Sequence, residues 1–466
     1  MLEIVAFSPH PPIVIPEVGK EETSKVITTY KGMQKLAKEI TEINPELIVA
    51  VTPHGHVFSD VLTITGLKTL QGDLAGFGAP EVKVEFSSAE KEIQVILEEC
   101  RKNYIECVSF NEKDYAKFKL SKKLDHGLVV PLSFLYRSGW RGKLVPINIA
   151  FFSYEKLYHF GKVLSEALDN LNISWVLLAS ADLSHRLHKG APAGYSPRGA
   201  VFDELVRQSI REGDVKRLLN IEPSLVEEAG ECGLRPIVIA LGALDGYAIE
   251  AEELAYEGPF GVGYMIARLK RGPKVPEREL IASLYQTNRK KAKDRIKGES
   301  LPVSLARQSL RKYLATREVI KISENAGDLL KKKAGAFVSL KKQGNLRGCI
   351  GTIEPTRSNL AEEIIYNAIS AAIHDPRFAP VSFAELEQVT ISVDVLEKPE
   401  RVDSLRELDP KVYGVIVSCG RRRGLLLPDL PGVDTPEEQV AIARAKAGIN
   451  PEEKVVLERF KVTRYN

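Results

Sequence analysis

Three apolar, strand-like runs in the first 185 residues each end at a histidine, and this placement limits the fold more than any other feature of the chain. LEIVAF runs into SPHPP and delivers His10. LIVAVT runs into PHGH and delivers His54 and His56, and WVLLAS runs into ADLSH and delivers Asp182 and His185. Open α/β sheets bind ligands outside the carboxyl ends of their strands, so residues just past several strand ends converge on one crevice. Four of the eight histidines occupy these three places. The pattern reads as a metal site on an α/β sheet.

A chain of 466 residues exceeds one ordinary core, and length alone suggests roughly two to three domains. Up to about residue 271 the sequence alternates apolar strands with amphipathic helices. The stretch 21–43 has helical spacing before LIVAVT, as a βαβ unit requires. Further strands are expected at 143–150, 175–180 and 261–269, and helices at 154–170, 199–213 and 236–244, the last opening on Pro236. The fold class that follows is α/β, a mixed, mostly parallel sheet covered by helices. Gly272, Pro273 and Pro276 then break the pattern, and Arg289, Lys290, Lys291, Lys293, Arg295 and Lys297 crowd together. Residues 272–299 therefore read as a basic helical linker, a solvated helix more readily than an anion site. From 300 to 466 the pattern is that of a smaller α+β domain: helix, two strands around a glycine-bearing turn, helix, further strands and a last helix near 437–447.

Charge and cysteine content narrow the class. A net charge of +3 gives no general pull toward nucleic acid. No run approaches the roughly 18 apolar residues of a membrane span, and the N-terminus reads as a first strand, without a signal peptide. Cys100, Cys107, Cys232, Cys349 and Cys419 are odd in number and scattered, which argues against a disulfide framework and for a reducing cytoplasm.

Two histidines and a carboxylate on one face of a divalent metal leave positions open for substrate and oxygen, as in non-haem Fe(II) oxygenases. Imidazoles also suit zinc, whose hydrolytic sites have three protein ligands and a water. His10 and His54 are the first two candidate ligands. His56, two residues on, points the opposite way if the backbone stays extended.

SPHPP, PHGH, LDHGLVVPLSFLY around His126 and SADLSH with His185, in that order, resemble the LigB-type class III extradiol dioxygenase superfamily, which includes the MEMO-like proteins. The resemblance covers about residues 1–270. It implies that His10 and His54 bind the metal, that His185 is an acid/base beside it, and that His126 is a pocket residue near substrate or oxygen. It also implies Fe(II) as cofactor and a catechol or similar enediol as substrate. Two departures matter. Asp182 gives a D-x-x-H pattern closer to the MEMO-like branch, and it could orient the His185 imidazole. The third ligand lies within AGECGLRPIVIALGAL, where the ring-cleaving register permits Glu231 and the MEMO-like context picks Cys232; Glu257 is a remoter choice. A thiolate ligand favours zinc or copper, and a carboxylate favours Fe(II).

LRGCIGT, AAIHDPRFAPV and RRRGLLLP, with the start LPVSLARQSLRKYL, resemble the AMMECR-type domain over about residues 300–466. Together the two resemblances are similar to the fused AmmeMemoRadiSam family, which implies a radical S-adenosylmethionine protein as partner. In this half, Cys349 beside Arg347, with His374 as base, could make a Cys–His nucleophile. The alternative is a buried strand cysteine, an arginine paired with a carboxylate, and a helix end stopped by Pro376. Arg421, Arg422 and Arg423 read as an exposed turn between strands more readily than as an anion site. Three function classes stay open: a metal-dependent dioxygenase-like oxidoreductase, a zinc or copper hydrolase or redox protein, and a non-catalytic scaffold.

Overall fold

The structure, a computed structural model, describes residues 1–466 except 323, 343, 344, 384 and 431, and leaves the side chains of 285, 287–293, 324, 325 and 345 undescribed. The chain forms two compact units, Met1–Gln286 and Thr287–Asn466.

The first unit is built on a ten-stranded sheet. Five parallel neighbours form its centre, in the order Ala79–Ser88, Lys143–Asn148, Leu47–Thr52, Trp175–Ser180 and Leu2–Ser8. Antiparallel strands close both sides: Thr69–Leu74 beyond Ala79–Ser88, and Tyr264–Lys274 then Tyr247–Glu257 beyond Leu2–Ser8. Leu47–Thr52 and Trp175–Ser180 are buried at every position, which is why both read as unbroken apolar runs. Successive side chains face opposite sides of a strand. Val5 and Phe7 accordingly join the core under helices Glu90–Lys102, Tyr154–Asp169, Pro197–Glu212 and Leu234–Gly242, and Ile4 and Ala6 join the one under Ile27–Ile43 and His126–Arg137. This mixed α/β sheet covered on both faces is the expected class.

Two boundaries differ from expectation. Gly272 and Pro273 do not end the last strand; it runs through them to Lys274, with a register shift between Arg271 and Lys274. An irregular register accommodates a residue that has no N–H to give to the ladder. The helix expected from Pro236 begins at Leu234, where Glu231 accepts the first amide. A helix does form over Leu280–Lys297. The side chains of Arg289, Lys290, Lys291 and Lys293 lie outside the described residues. Arg295 donates to Thr390 Oγ1 and to the carbonyls of Glu387 and Val389.

The second unit holds two four-stranded antiparallel sheets. One runs Asn345–Gly351, Ala336–Lys342, Val389–Leu396, Val462–Tyr465, and shares a core with helices Leu301–Thr316 and Leu360–Ile373. The other runs Glu400–Val402, Val456–Phe460, Gly414–Cys419, Arg422–Leu426, and packs on helix Pro436–Ala447. Among the described residues no helix is long and apolar enough to cross a membrane.

Candidate metal centre

The parallel centre of the sheet puts the ends of Leu2–Ser8, Trp175–Ser180 and Leu47–Thr52 side by side, with Ser8 paired to Ser180 and Val51 to Ala179. His10 lies two residues past the first end and is 2% exposed. Its backbone N–H donates to Asp182 Oδ1 at 2.8 Å, and its Nδ1 lies 2.8 Å from Ser180 Oγ. The Ser180 hydroxyl donates its own proton to the carbonyl of Gly127. A carbonyl can only accept, so Ser180 Oγ must accept from His10, which puts the proton on Nδ1 and leaves Nε2 with a free lone pair. The Nε2 atom faces His54 Nε2 at 2.9 Å and Cys232 Sγ at 3.6 Å.

His54 is held from below. Its N–H reaches Thr52 Oγ1 at 3.2 Å, Thr52 Oγ1 donates to Asp125 Oδ1 at 2.8 Å, and the ring stacks on His126 with centroids 4.7 Å apart. His126 opens helix His126–Arg137 and also meets Phe77 at 5.3 Å. Cys232, in the loop before Leu234–Gly242, places Sγ 3.6 Å from His185 Nε2. Donor atoms of His10, His54 and Cys232 all lie within 4.8 Å of one another. His10 is buried and His54 exposed, so the cluster opens to solvent on one side.

Burial acts first on every titratable group here. It lowers His10 well below the usual imidazole value and His54 to about 4, with repulsion from neighbouring imidazoles adding to both. It also lowers His126 and His185. Neutral imidazoles are the metal-binding form. Burial raises Asp182 to about 7, and drives the Cys232 thiol up, with Asp182 and Glu231 adding to that rise.

The structure thus brings together His10, His54, Cys232, His185, His126 and Asp182, and separates the rest. Glu231 is turned away: its Oε2 accepts the N–H of Leu234 at 2.6 Å. Glu257 accepts the N–H and hydroxyl of Thr29, both at 2.6 Å, and is spent on that helix start. His56 reaches the carbonyl of Ser121 at 2.8 Å. Asp182 does not orient His185; its oxygens serve His10, with Oδ2 3.6 Å from His10 Nε2. Ser180, Thr52 and Asp125 were not read from the sequence as site residues. Ser180 lies inside SADLSH, and its hydroxyl takes its role from two spatial neighbours, the Gly127 carbonyl and His10 Nδ1.

In the second unit the Cys–His nucleophile does not form. Among the described residues the partner of Cys349 Sγ is the Ser339 hydroxyl at 3.2 Å, and burial raises the thiol. Arg347 pairs with Glu385 at 2.9 Å and donates to the carbonyl of Ala379. His374 is exposed at the end of helix Leu360–Ile373. Arg422 and Arg423 lie on a strand, paired with Glu453 and with Glu354 and Glu458, and only Arg421 belongs to the turn.

Two neutral imidazoles past the carboxyl ends of parallel strands, joined by a thiol from the loop before Leu234–Gly242, define an α/β protein with a candidate metal centre. Residues 4–267 match the catalytic LigB subunit of aromatic ring-opening dioxygenase, and residues 303–466 match AMMECR1. The chain belongs to the LigB family, in a form fused to an AMMECR1 domain. A Clostridium acetobutylicum protein is 42% identical over 98% of this chain and 97% of its own length. A Thermotoga maritima protein is 54% identical over 36% of this chain and 98% of its own length. A crystal structure of an uncharacterized Pyrococcus horikoshii protein, 34% identical, covers 35% of this chain and 88% of its own, with a TM-score of 0.33.

Proposed function

We propose that this protein is a metal-dependent oxidoreductase of the ring-opening dioxygenase type, acting on a small catechol-like or enediol substrate. The observation that carries the reading is the convergence of His10 Nε2, His54 Nε2 and Cys232 Sγ on one solvent-open point. These three residues would hold the ion, and a bound divalent cation would favour the Cys232 thiolate against the burial that now raises it. When bound, a redox-active ion such as Fe(II) would supply the Lewis-acidic centre at which a chelating diol is oxidised.

The remaining steps belong to the chain's own groups. His185 Nε2 faces the same point through Cys232 Sγ. Burial keeps its ring neutral at pH 7, so it can accept a substrate hydroxyl proton and later return it. His126, stacked on His54, forms one wall, and Phe77 extends that wall with an aromatic face. Asp182 and Ser180 fix His10 from its backbone and Nδ1 sides, which sets the ring before any ligand arrives. The AMMECR1 unit would serve substrate or partner binding, with a radical S-adenosylmethionine protein as the partner.

Cys232 in place of a carboxylate favours a second reading, in which zinc or copper serves a hydrolytic or different redox reaction. Oxygen uptake separates the two. Protein loaded anaerobically with Fe(II) should consume O₂ with at least one member of a broad catechol panel, and His185→Gln should lose that turnover while keeping its metal. Metal-replete protein that consumes no O₂ with any member refutes the oxygenase reading. Intact folding and partner binding after removal of both His10 and His54 would leave a scaffold.

A further inference from the structure

Helix Glu90–Lys102 ends in a tight reversal that returns the chain against its own last turn. Ile93, Ile96 and Cys100 form the buried stripe of this helix. The N–H of Asn103 donates to the Glu99 carbonyl at 3.1 Å, and that of Ile105 donates to the Cys100 carbonyl at 2.9 Å. Between them Tyr104 takes the left-handed conformation, with φ at 55° and its side chain in solvent. Cys107 then opens strand Cys107–Phe110, half-buried against the apolar cluster that contains Cys100. The two thiols are hydrogen-bonded, and that contact, ahead of burial, drives the Cys107 thiol well above its usual value. The other three cysteines have different neighbours: Cys232 faces His10 and His185, Cys349 the Ser339 hydroxyl, and Cys419 Glu453 and Arg422.

Cys107–Phe110 pairs in parallel with Leu62–Thr65, its one strand neighbour among the described residues. Leu62–Thr65 brings the chain back from the loop that carries His54 and His56, and Thr63 Oγ1 donates to the His56 carbonyl at 3.0 Å. Its other ladder is two residues long, Thr63 with Asn148 and Ile64 with Ile147. Two short ladders therefore hold the return from the His54 loop. A covalent tie from Cys107 to the helix would fix the outer one.

We propose that Cys100 and Cys107 are a reversible dithiol–disulfide pair, oxidised by a low-molecular-weight disulfide, whose closure staples strand Cys107–Phe110 to helix Glu90–Lys102. The half-buried Cys107 reacts first: its thiolate attacks one sulfur of the oxidant, whose S–S bond breaks as the other half leaves as a thiol. The Cys100 thiolate then attacks the Cys107 sulfur, the mixed S–S bond breaks, and the second half leaves as a thiol. The pair gives up two electrons and two protons, and the oxidant takes up both. Closure draws the hydrogen-bonded sulfurs in to about 2.05 Å. The pair is independent of the metal-site reading.

The test is anaerobic equilibration of the full chain, as purified, in glutathione buffers that run from reduced to oxidised. A pH of about 8.5 ionises more of the raised Cys107 thiol. Samples are quenched in acid, capped with N-ethylmaleimide and mapped by tryptic mass spectrometry. Cleavage after Arg101 and Lys102 puts the two cysteines on separate peptides, 92–101 and 103–113. A bridge therefore shows as a linked pair, lighter by two hydrogens than the sum of the peptides. The linked pair should appear in most wild-type chains in oxidised buffer and vanish in reduced buffer, and in Cys100→Ser the Cys107 sulfur should stop at the mixed disulfide with glutathione. Thiols already held in contact should close about tenfold or more readily in the folded chain than in the chain unfolded in urea. By linkage the closed form then unfolds at higher urea. Amides of 62–65 and 107–110 should exchange hydrogen more slowly once the bridge is closed. No linked pair in the wild type, a mixed disulfide that persists there on Cys107, or closure no more favourable folded than unfolded overturns the proposal.

Discussion

Asp203 lies behind the loop that carries His185, and its burial has a measurable cost. The side chain is 1% exposed. It accepts the Ser184 N–H at 2.8 Å and the Tyr256 hydroxyl at 2.7 Å. Burial is the largest influence on it and, against the pull of those bonds and of Arg207, raises its pKa from 3.8 to about 7. Both states are protonated below pH about 4. As pH rises through the unfolded value the unfolded chain ionises first, so folding loses about 1.4 kcal/mol per pH unit until the folded value is reached. From 3.8 to about 7 the loss sums to about 4 kcal/mol. Asp203→Asn mimics the neutral acid, keeps an acceptor for Ser184, and carries no such loss. The variant should therefore gain about 4 kcal/mol on the wild type between pH 4 and pH 7.5. Trp140 and Trp175 are the only two tryptophans and both are buried in the first unit, so urea unfolding followed by their fluorescence reports that unit. A stability difference that stays flat across this range would refute the argument.

Two further outcomes can be checked directly. Helices Tyr154–Asp169 and Leu234–Gly242 cross at glycines, and a Cβ on Gly161 would fall 1.8 Å from the Ile239 carbonyl oxygen; Gly161→Ala should cost about 1–3 kcal/mol in the same unfolding assay and weaken metal retention through the Cys232 loop, and unchanged values would contradict that packing. Because burial raises Cys349, its labelling by iodoacetamide, followed by peptide mass spectrometry, should be slow at pH 7 and rise about tenfold per pH unit toward pH 9; labelling at pH 7 as fast as that of a free thiol would restore it as a nucleophile.

Much of the framework was legible because buried elements carry strong patterns. LIVAVT and WVLLAS are apolar throughout and became central parallel strands, and LAEEIIYNAISAAI became helix Leu360–Ile373 residue for residue. The hairpin Thr69–Leu74 and Ala79–Ser88 is not among the expected elements, although Val82, Val84 and Phe86 alternate with charged residues as in a half-buried strand. Pro273 misled because a strand with an irregular register tolerates it. At the site, strand ends located His10, His54 and His185 from sequence. Choosing between Glu231 and Cys232 needed the helix start at Leu234, which captures the carboxylate and leaves the thiol facing the histidines. The tautomer of His10 depends on Gly127, 117 residues away, and no local pattern encodes that contact.

Metal stoichiometry tests the central claim most directly: elemental mass spectrometry on anaerobically purified and reconstituted protein, wild type beside His54→Ala, Cys232→Ser and Glu231→Gln. The account predicts about one metal per chain in the wild type and in Glu231→Gln, and its loss or marked weakening in the other two. No metal in any sample, or a metal that survives in Cys232→Ser and disappears in Glu231→Gln, would contradict it.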